Sequence, residues 1–321
     1  MDIAEKRIPQ DGRVVKTLGE SEYDLRIATI ATVFGEKAVI RILEKDEFRF
    51  SLNNIGIKAD DAEKIKSCLS GTGGMILISG PTGSGKTTTL YSILNFIKKD
   101  SKNIITVEDP VEYTIGEVSQ IQVNRQIGLD FAEGLRAALR HDPDVIMIGE
   151  IRDTETASIA MRAAITGHLV LSTIHTNDSA STVTRLMNMG IPPYIISASL
   201  KCVIAQRLVR KLCDKCKSSC KIAVAEKAAL YMADCETEDF HSARGCSCCS
   251  GTGYHGRMGV YELLYIDRDL REAITQGQPQ QRIRDMANEK GMATMLENAA
   301  SLVIDGTTSM DEISQLLVSR E

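Results

Sequence analysis

Gly80-Pro81-Thr82-Gly83-Ser84-Gly85-Lys86-Thr87 satisfies the pattern G-x-x-x-x-G-K-[ST] at every position. Each residue type answers a requirement of holding a polyphosphate. Glycines let the backbone turn its N–H groups inward toward phosphate oxygens, Lys86 supplies a point charge for the β/γ-phosphates, and the Thr87 hydroxyl is a Mg²⁺ ligand. The flanks agree. Met75-Ile76-Leu77-Ile78-Ser79 reads as a buried strand entering the loop, and Thr88-Thr89-Leu90-Tyr91-Ser92-Ile93-Leu94 reads as a helix leaving it. Its N-terminus adds free N–H groups and the positive end of its dipole, so Thr88 is counted with Gly80 to Thr87 as a phosphate contact. A Gly/Ser-rich turn that happens to contain a lysine would not sit between a strand and a helix.

Outward from this loop, alternating strand and helix patterns run from about residue 56 to 210. Ile104-Ile105-Thr106-Val107, Val145-Ile146-Met147-Ile148 and Leu169-Val170-Leu171-Ser172-Thr173-Ile174 are short, β-branched runs of the kind found in strands covered on both faces. Asp130 with Glu133, Asp153 and Asp178 predict helix starts, and Gly167 and Gly190 predict helix ends. Alternating βα units imply an α/β fold with a mostly parallel sheet and ligands at the carboxyl ends of its strands. The loop, Glu108, Glu150 and His175 all fall at such ends.

Residues 1–55 have a different texture. Tyr23 to Ile30 and Lys37 to Leu43 alternate polar and apolar residues around Phe34-Gly35-Glu36, a hairpin signal. This predicts a small separate domain, with residues 56–321 as the main body. Helical segments such as Ile283 to Lys290 and Met310 to Val318 follow in 268–321.

The chain has 321 residues, 43% hydrophobic and 25% charged, and a net charge of −5. Those are the proportions of an ordinary globular protein, and the acidic balance gives no general attraction to nucleic acid. No run of 18 apolar residues and no signal-peptide pattern is present, so a cytoplasmic, non-spanning chain is expected. Nine cysteines without a secretory signal then point to reduced thiols or metal.

Four constellations carry chemistry. Asp144 to Glu150 is an apolar strand closed by Gly149-Glu150, and a carboxylate beside a phosphate loop can orient or deprotonate water. Glu108 and Glu112 form a second acidic cluster. His168 and His175 flank one buried strand, from which a polar side chain can report the loss of a γ-phosphate. Cys213-x-x-Cys216 and Cys246-x-x-Cys249 are separated by 29 residues. Two such knuckles offer four thiolates to a tetrahedral Zn²⁺, a closed structural site within residues 211–252. The long spacing implies an intervening helix over Val224 to Met232, and Cys220 and Cys248 remain alternative ligands.

Together these residues resemble the secretion-superfamily ATPases of the GspE/PilB branch, which serve type II secretion and type IV pilus assembly. The resemblance runs from Glu5 to Arg13 and Asp24 to Thr29, through Gly80 to Thr87, Val107 to Glu112 and Leu139 to Asp153. It continues through Thr166 to Asn177 and Gly251 to Arg257. It implies a RecA-like P-loop NTPase core, a PAS-like α+β N2 domain at 1–55, and a zinc-binding insert. It also implies a homohexamer that hydrolyses ATP with Mg²⁺ and works on an inner-membrane platform protein, recruited to the inner face of the cell membrane. By the same resemblance Glu108 belongs to an acidic box, Glu150 to Walker B, and His168 with His175 to a histidine box. Arg26 and Arg41 match arginines that reach the phosphates from N2. The cysteine insert favours assembly over retraction machines. Family members commonly carry a further N-terminal docking domain, and the expectation is a chain lacking it. The rival expectation is a nucleic-acid or conjugation motor on the same core, against which the acidic balance and the lack of a basic, aromatic-interleaved segment count.

Overall fold

The computed structural model describes residues 1–19, 21–44, 51–52, 54–71, 73–98, 102–222, 227 and 240–318. The chain divides into a unit of Met1–Arg49 and a unit of Phe50–Glu321.

The first unit is an antiparallel sheet of β1 (Gln10–Leu18), β2 (Ser21–Thr32) and β3 (Gly35–Glu44), in that order. The expected hairpin is β2–β3, reversing at Val33-Phe34 one step ahead of the anticipated turn. Its described residues are strands and turns, so the helical part of the expected α+β domain is not among them. The register sets Arg13 opposite Arg26 and Arg26 opposite Arg41. Asp24, wholly buried, accepts from Arg13 through Nε at 2.9 Å and Nη2 at 2.6 Å.

In the second unit, α1 (Ala59–Ser70) leads into β4 (Gly74–Ser79), and α2 (Lys86–Ile97) follows the phosphate loop. Next come β5 (Ile104–Glu108), β6 (Ser119–Gln122), α3 (Phe131–Ala138), β7 (Val145–Ile148), α4 (Thr154–Ile165) and β8 (Leu169–Ile174). After α5 (Ser179–Asn188) and α6 (Pro193–Ser199) the long strand β9 (Leu200–Leu212) enters the sheet. The short pair β10 (Ser218–Cys220) and β11 (Phe240–Ser242) precedes β12 (Tyr254–Tyr265). The chain closes with α7 (Arg268–Thr275), α8 (Gln280–Glu289), α9 (Met295–Ile304) and α10 (Met310–Val318). The helix expected over Val224 to Met232 lies, apart from Lys227, outside the described residues.

The seven-stranded sheet has the order β12-β9-β4-β8-β7-β5-β6. Every pair is parallel except β12 on β9. The alternation along β4 explains the layering. Met75 and Leu77 point into a core shared with α3 to α8, whereas Ile76 and Ile78 point into one shared with α1 and α2. All six residues of β4 and of β8 are buried, as their near-continuous apolar runs require. Asp130, Asp153 and Asp178 each accept from the backbone N–H three residues on, so the predicted N-caps of α3, α4 and α5 are real. Leu52 is buried and Ile55 and Ile57 pack on the α1/α2 core, which is why residues 50–58 belong to this unit and not to the hairpin.

Candidate nucleotide site and thiol cluster

The parallel register puts the ends of β4, β8, β7 and β5 side by side, and the loops leaving them form the site. Gly83 and Gly85 adopt φ of +81° and +85°, left-handed values that favour glycine. A Cβ on Gly80, at φ +146°, would lie 2.4 Å from the Gln206 carbonyl. The loop is therefore drawn tight against β9. Lys86 Nζ donates to the Gly80 and Pro81 carbonyls at 2.6 and 3.0 Å, folding its ammonium over the cradle. Burial holds that ammonium below the usual lysine range, with Glu150 opposing the shift. The Ser79 and Ser84 hydroxyls are buried without a hydrogen-bond partner among the described residues. Thr87 and Thr88 are exposed at the start of α2. A strand-to-helix cradle with inward polar groups, a lysine and an exposed threonine hydroxyl fits a nucleotide's phosphates and a Mg²⁺ ion.

Glu150 lies just beyond β7, with its side chain 14% exposed. Its loop is fixed to the neighbouring strands. Ser172 Oγ donates to Ile148 O at 2.8 Å, Thr173 Oγ1 to Gly149 O at 2.7 Å, and the Gly149 N–H to Val107 O at 2.8 Å. The carboxylate pairs with Arg152, whose guanidinium this contact holds above its ordinary value. Its other oxygen lies 3.5 Å from His175 Nε2. The structure thus brings together Lys86, Glu150 and His175.

Two expected members stand apart. Glu108 is 3% exposed. It accepts from Tyr91 OH at 2.5 Å, Thr106 Oγ1 at 2.6 Å and Gln120 Nε2 at 3.0 Å, so both oxygens are engaged. Burial and then the carboxylate push the Tyr91 phenol far above its ordinary value. Glu108 acts here as an anchor between α2, β5 and β6. His168 precedes β8, at the amino end beside Gly74, roughly 20 Å along the strand from the loop. Its Nδ1 lies 3.0 Å from Ala163 O. A side chain there serves the α4–β8 turn of its own chain. Arg26 and Arg41 belong to the first unit, as the centre and one end of the arginine row.

Sequence reasoning missed Gln206 on β9, against which Gly80 and Gly85 are packed, and its cross-strand partner Tyr261 on β12. No local motif marks them, because only strand pairing brings them there.

The thiol cluster lies between β9 and β12. Cys213, Cys216, Cys246 and Cys249 hold their sulfurs within 4.8 Å of one another. Three Sγ–Sγ separations are 3.9, 3.8 and 3.7 Å. Four sulfurs at a Zn–S length of about 2.3 Å would define a tetrahedron with edges of about 3.8 Å. Burial raises the Cys249 thiol, but N–H donors of Cys246 and Gly253, each 3.1 Å from its sulfur, outweigh this and bring it to about 6. The donor set fits zinc, and Cys220 and Cys248 fall outside it.

Among the described residues no helix is long and apolar enough to cross a membrane. The family model for type II/IV secretion system proteins matches residues 1–315. The putative type II secretion system protein E of Escherichia coli is 44% identical over 98% of this chain and 64% of its own length. The type IV pilus assembly ATPase PilB of Thermus thermophilus is 46% identical over 98% of this chain and 35% of its own length. The chain therefore spans less than two thirds of these relatives. Among solved structures, the pilus retraction motor PilT with bound ADP superposes with a TM-score of 0.71 at 28% identity, covering 97% of this chain and 78% of that one. The match along almost its whole length, read with the loop and strand ends above, places this chain in the type II/IV secretion system protein family.

Proposed function

We propose that the protein is a Mg²⁺-dependent ATPase motor of the assembly or secretion branch of this family. The observation that carries the reading is the convergence of Lys86, Glu150 and His175 on adjoining strand ends behind a glycine-lined loop. In this reading the backbone N–H groups of Gly83 to Thr88 and the Lys86 ammonium hold the β- and γ-phosphates. Thr87 would hold Mg²⁺, which supplies Lewis-acid charge neutralisation when bound. Glu150 orients the attacking water and takes its proton, while His175 sits against the same carboxylate and senses whether the γ-phosphate is there. Glu108 assists by fixing α2 against β5, not by touching water.

Arg26 and Arg41 stabilise the charge that develops on the transferring phosphoryl group, delivered by the N-terminal unit in a homohexamer. Cys213, Cys216, Cys246 and Cys249 bind a structural Zn²⁺. The motor drives assembly of a type IV pilus or secretion pseudopilus through an inner-membrane platform protein. The four-thiol insert and the relatedness to secretion protein E and PilB support assembly over retraction.

Phosphate release from ATP tests this reading. It should require Mg²⁺ and disappear in Lys86→Ala. Turnover that survives that substitution rejects the assignment. Arg26→Ala should lower turnover more than nucleotide affinity, and equal losses would reduce Arg26 to a binding residue.

A further inference from the structure

A second buried polar cluster lies behind the phosphate loop. Gln206 and Tyr261 are direct cross-strand partners on β9 and β12, and both are buried. Gln206 Oε1 accepts a 2.7 Å hydrogen bond from Thr89, a wholly buried residue in the first turn of α2. Tyr261 OH donates at 2.9 Å to the backbone carbonyl of Ile55. Burial pushes this phenol up to about 12.

The surroundings are cleared for these contacts. A Cβ on Gly85 would lie 2.9 Å from Gln206 Nε2, and one on Gly259 would lie 2.3 Å from the Tyr261 hydroxyl. Gly56, next to Ile55, takes φ +91°, and a Cβ there would lie 2.9 Å from Met258 Cγ. The stretch around Ile55 is the one by which the chain enters the second unit.

These contacts join two places. On one side, the Gly80 carbonyl that now accepts from Lys86 belongs to a residue pressed against Gln206. Phosphate oxygens compete for the same ammonium, so filling the loop alters its fit on Gln206. On the other side, the Ile55 carbonyl depends on Tyr261. Buried donors and acceptors have no water to replace a lost partner, so a shift at Thr89 is felt at Gln206 and, across the strand pair, at Tyr261.

We propose that Gln206 and Tyr261 form a relay through which segment 54–57 senses occupancy of the phosphate loop. Tyr261 is then a positioning residue and not a catalytic one. The proposal rests on the nucleotide reading of Gly80 to Thr88.

Hydrogen exchange of the full chain, with and without Mg²⁺ and a non-hydrolysable ATP analogue, tests it. In the wild type the analogue should slow exchange at residues 80–88 and change it at 54–58 by at least about fivefold. Tyr261→Phe should keep the protection at 80–88 and lose the response at 54–58. Thr89→Val, which cuts the path from the other side, should do the same and stands in if Tyr261→Phe does not fold. A response at 54–58 that survives both substitutions overturns the relay. So does a wild type protected at 80–88 alone. No protection at 80–88 in the wild type overturns the nucleotide reading, and the relay with it.

Discussion

Glu108→Gln separates a structural carboxylate from a catalytic one. The carboxylate accepts from Tyr91 on one oxygen and from Thr106 and Gln120 on the other. An amide accepts on one side only. If its oxygen faces Thr106 and Gln120, its NH₂ meets the Tyr91 hydroxyl. That hydroxyl already accepts from the Glu112 and Tyr113 N–H groups at 3.3 and 3.4 Å, so its own proton loses its acceptor. A buried donor left unsatisfied costs about 1–3 kcal/mol, and weakening the other bonds from a carboxylate to an amide acceptor adds roughly 1 kcal/mol. The expected loss is about 2–4 kcal/mol, which for a unit of this size lowers the melting temperature by roughly 5–15 °C. Differential scanning fluorimetry reads this directly. ATP turnover per folded molecule, measured well below the variant's melting temperature, should stay within about threefold of wild type, against the 10²-fold or greater loss typical of removing a general base. A melting temperature within about 2 °C of wild type, combined with a collapse in turnover, would refute the anchoring argument.

Two further outcomes follow from the loop and the thiols. Gly80→Ala drives a Cβ to 2.4 Å from the Gln206 carbonyl at φ +146°. It should weaken binding of a fluorescent ATP analogue by at least about fivefold, since strained loop positions cost on the order of 1–3 kcal/mol, and unchanged affinity would mean the cradle is looser than its geometry. The chain should carry one zinc by elemental analysis, and Cys249→Ser should remove it and lower the melting temperature. Full metal content in the variant would contradict the four-thiol assignment.

The parts of this fold that were legible in sequence are those written locally. The loop residues specify their own backbone conformation, and β5, β7 and β8 are short enough for their apolar runs to speak for themselves. Asp130, Asp153 and Asp178 mark helix starts through hydrogen bonds only three residues long. β9 and β12 were not legible. Each mixes buried and polar positions, with Gln206, Arg207 and Arg210 on one and Glu262 on the other, and their partners lie far away in the chain. Glu262, for example, is buried because the N–H groups of Ser179 and Met295 converge on it from two helix starts. The same reason explains the site. Glu150 and His175 were legible as strand-end residues, but the burial of Glu108 depends on Tyr91 in a different element. His168 and His175 were legible as flanking one buried strand, and the six residues of β8 between them set His168 at the amino end, away from the loop.

The central claim is that Glu150 performs chemistry on a nucleotide held by Lys86, and Glu150→Gln tests it most directly. Pre-steady-state phosphate release and analogue binding should be measured on the same preparation, with Mg²⁺ present. The variant should bind ATP with a Kd within about threefold of wild type and release phosphate at least 10²-fold more slowly, the usual contribution of a positioned base. Phosphate release at the wild-type rate from a variant that binds ATP normally would contradict the account.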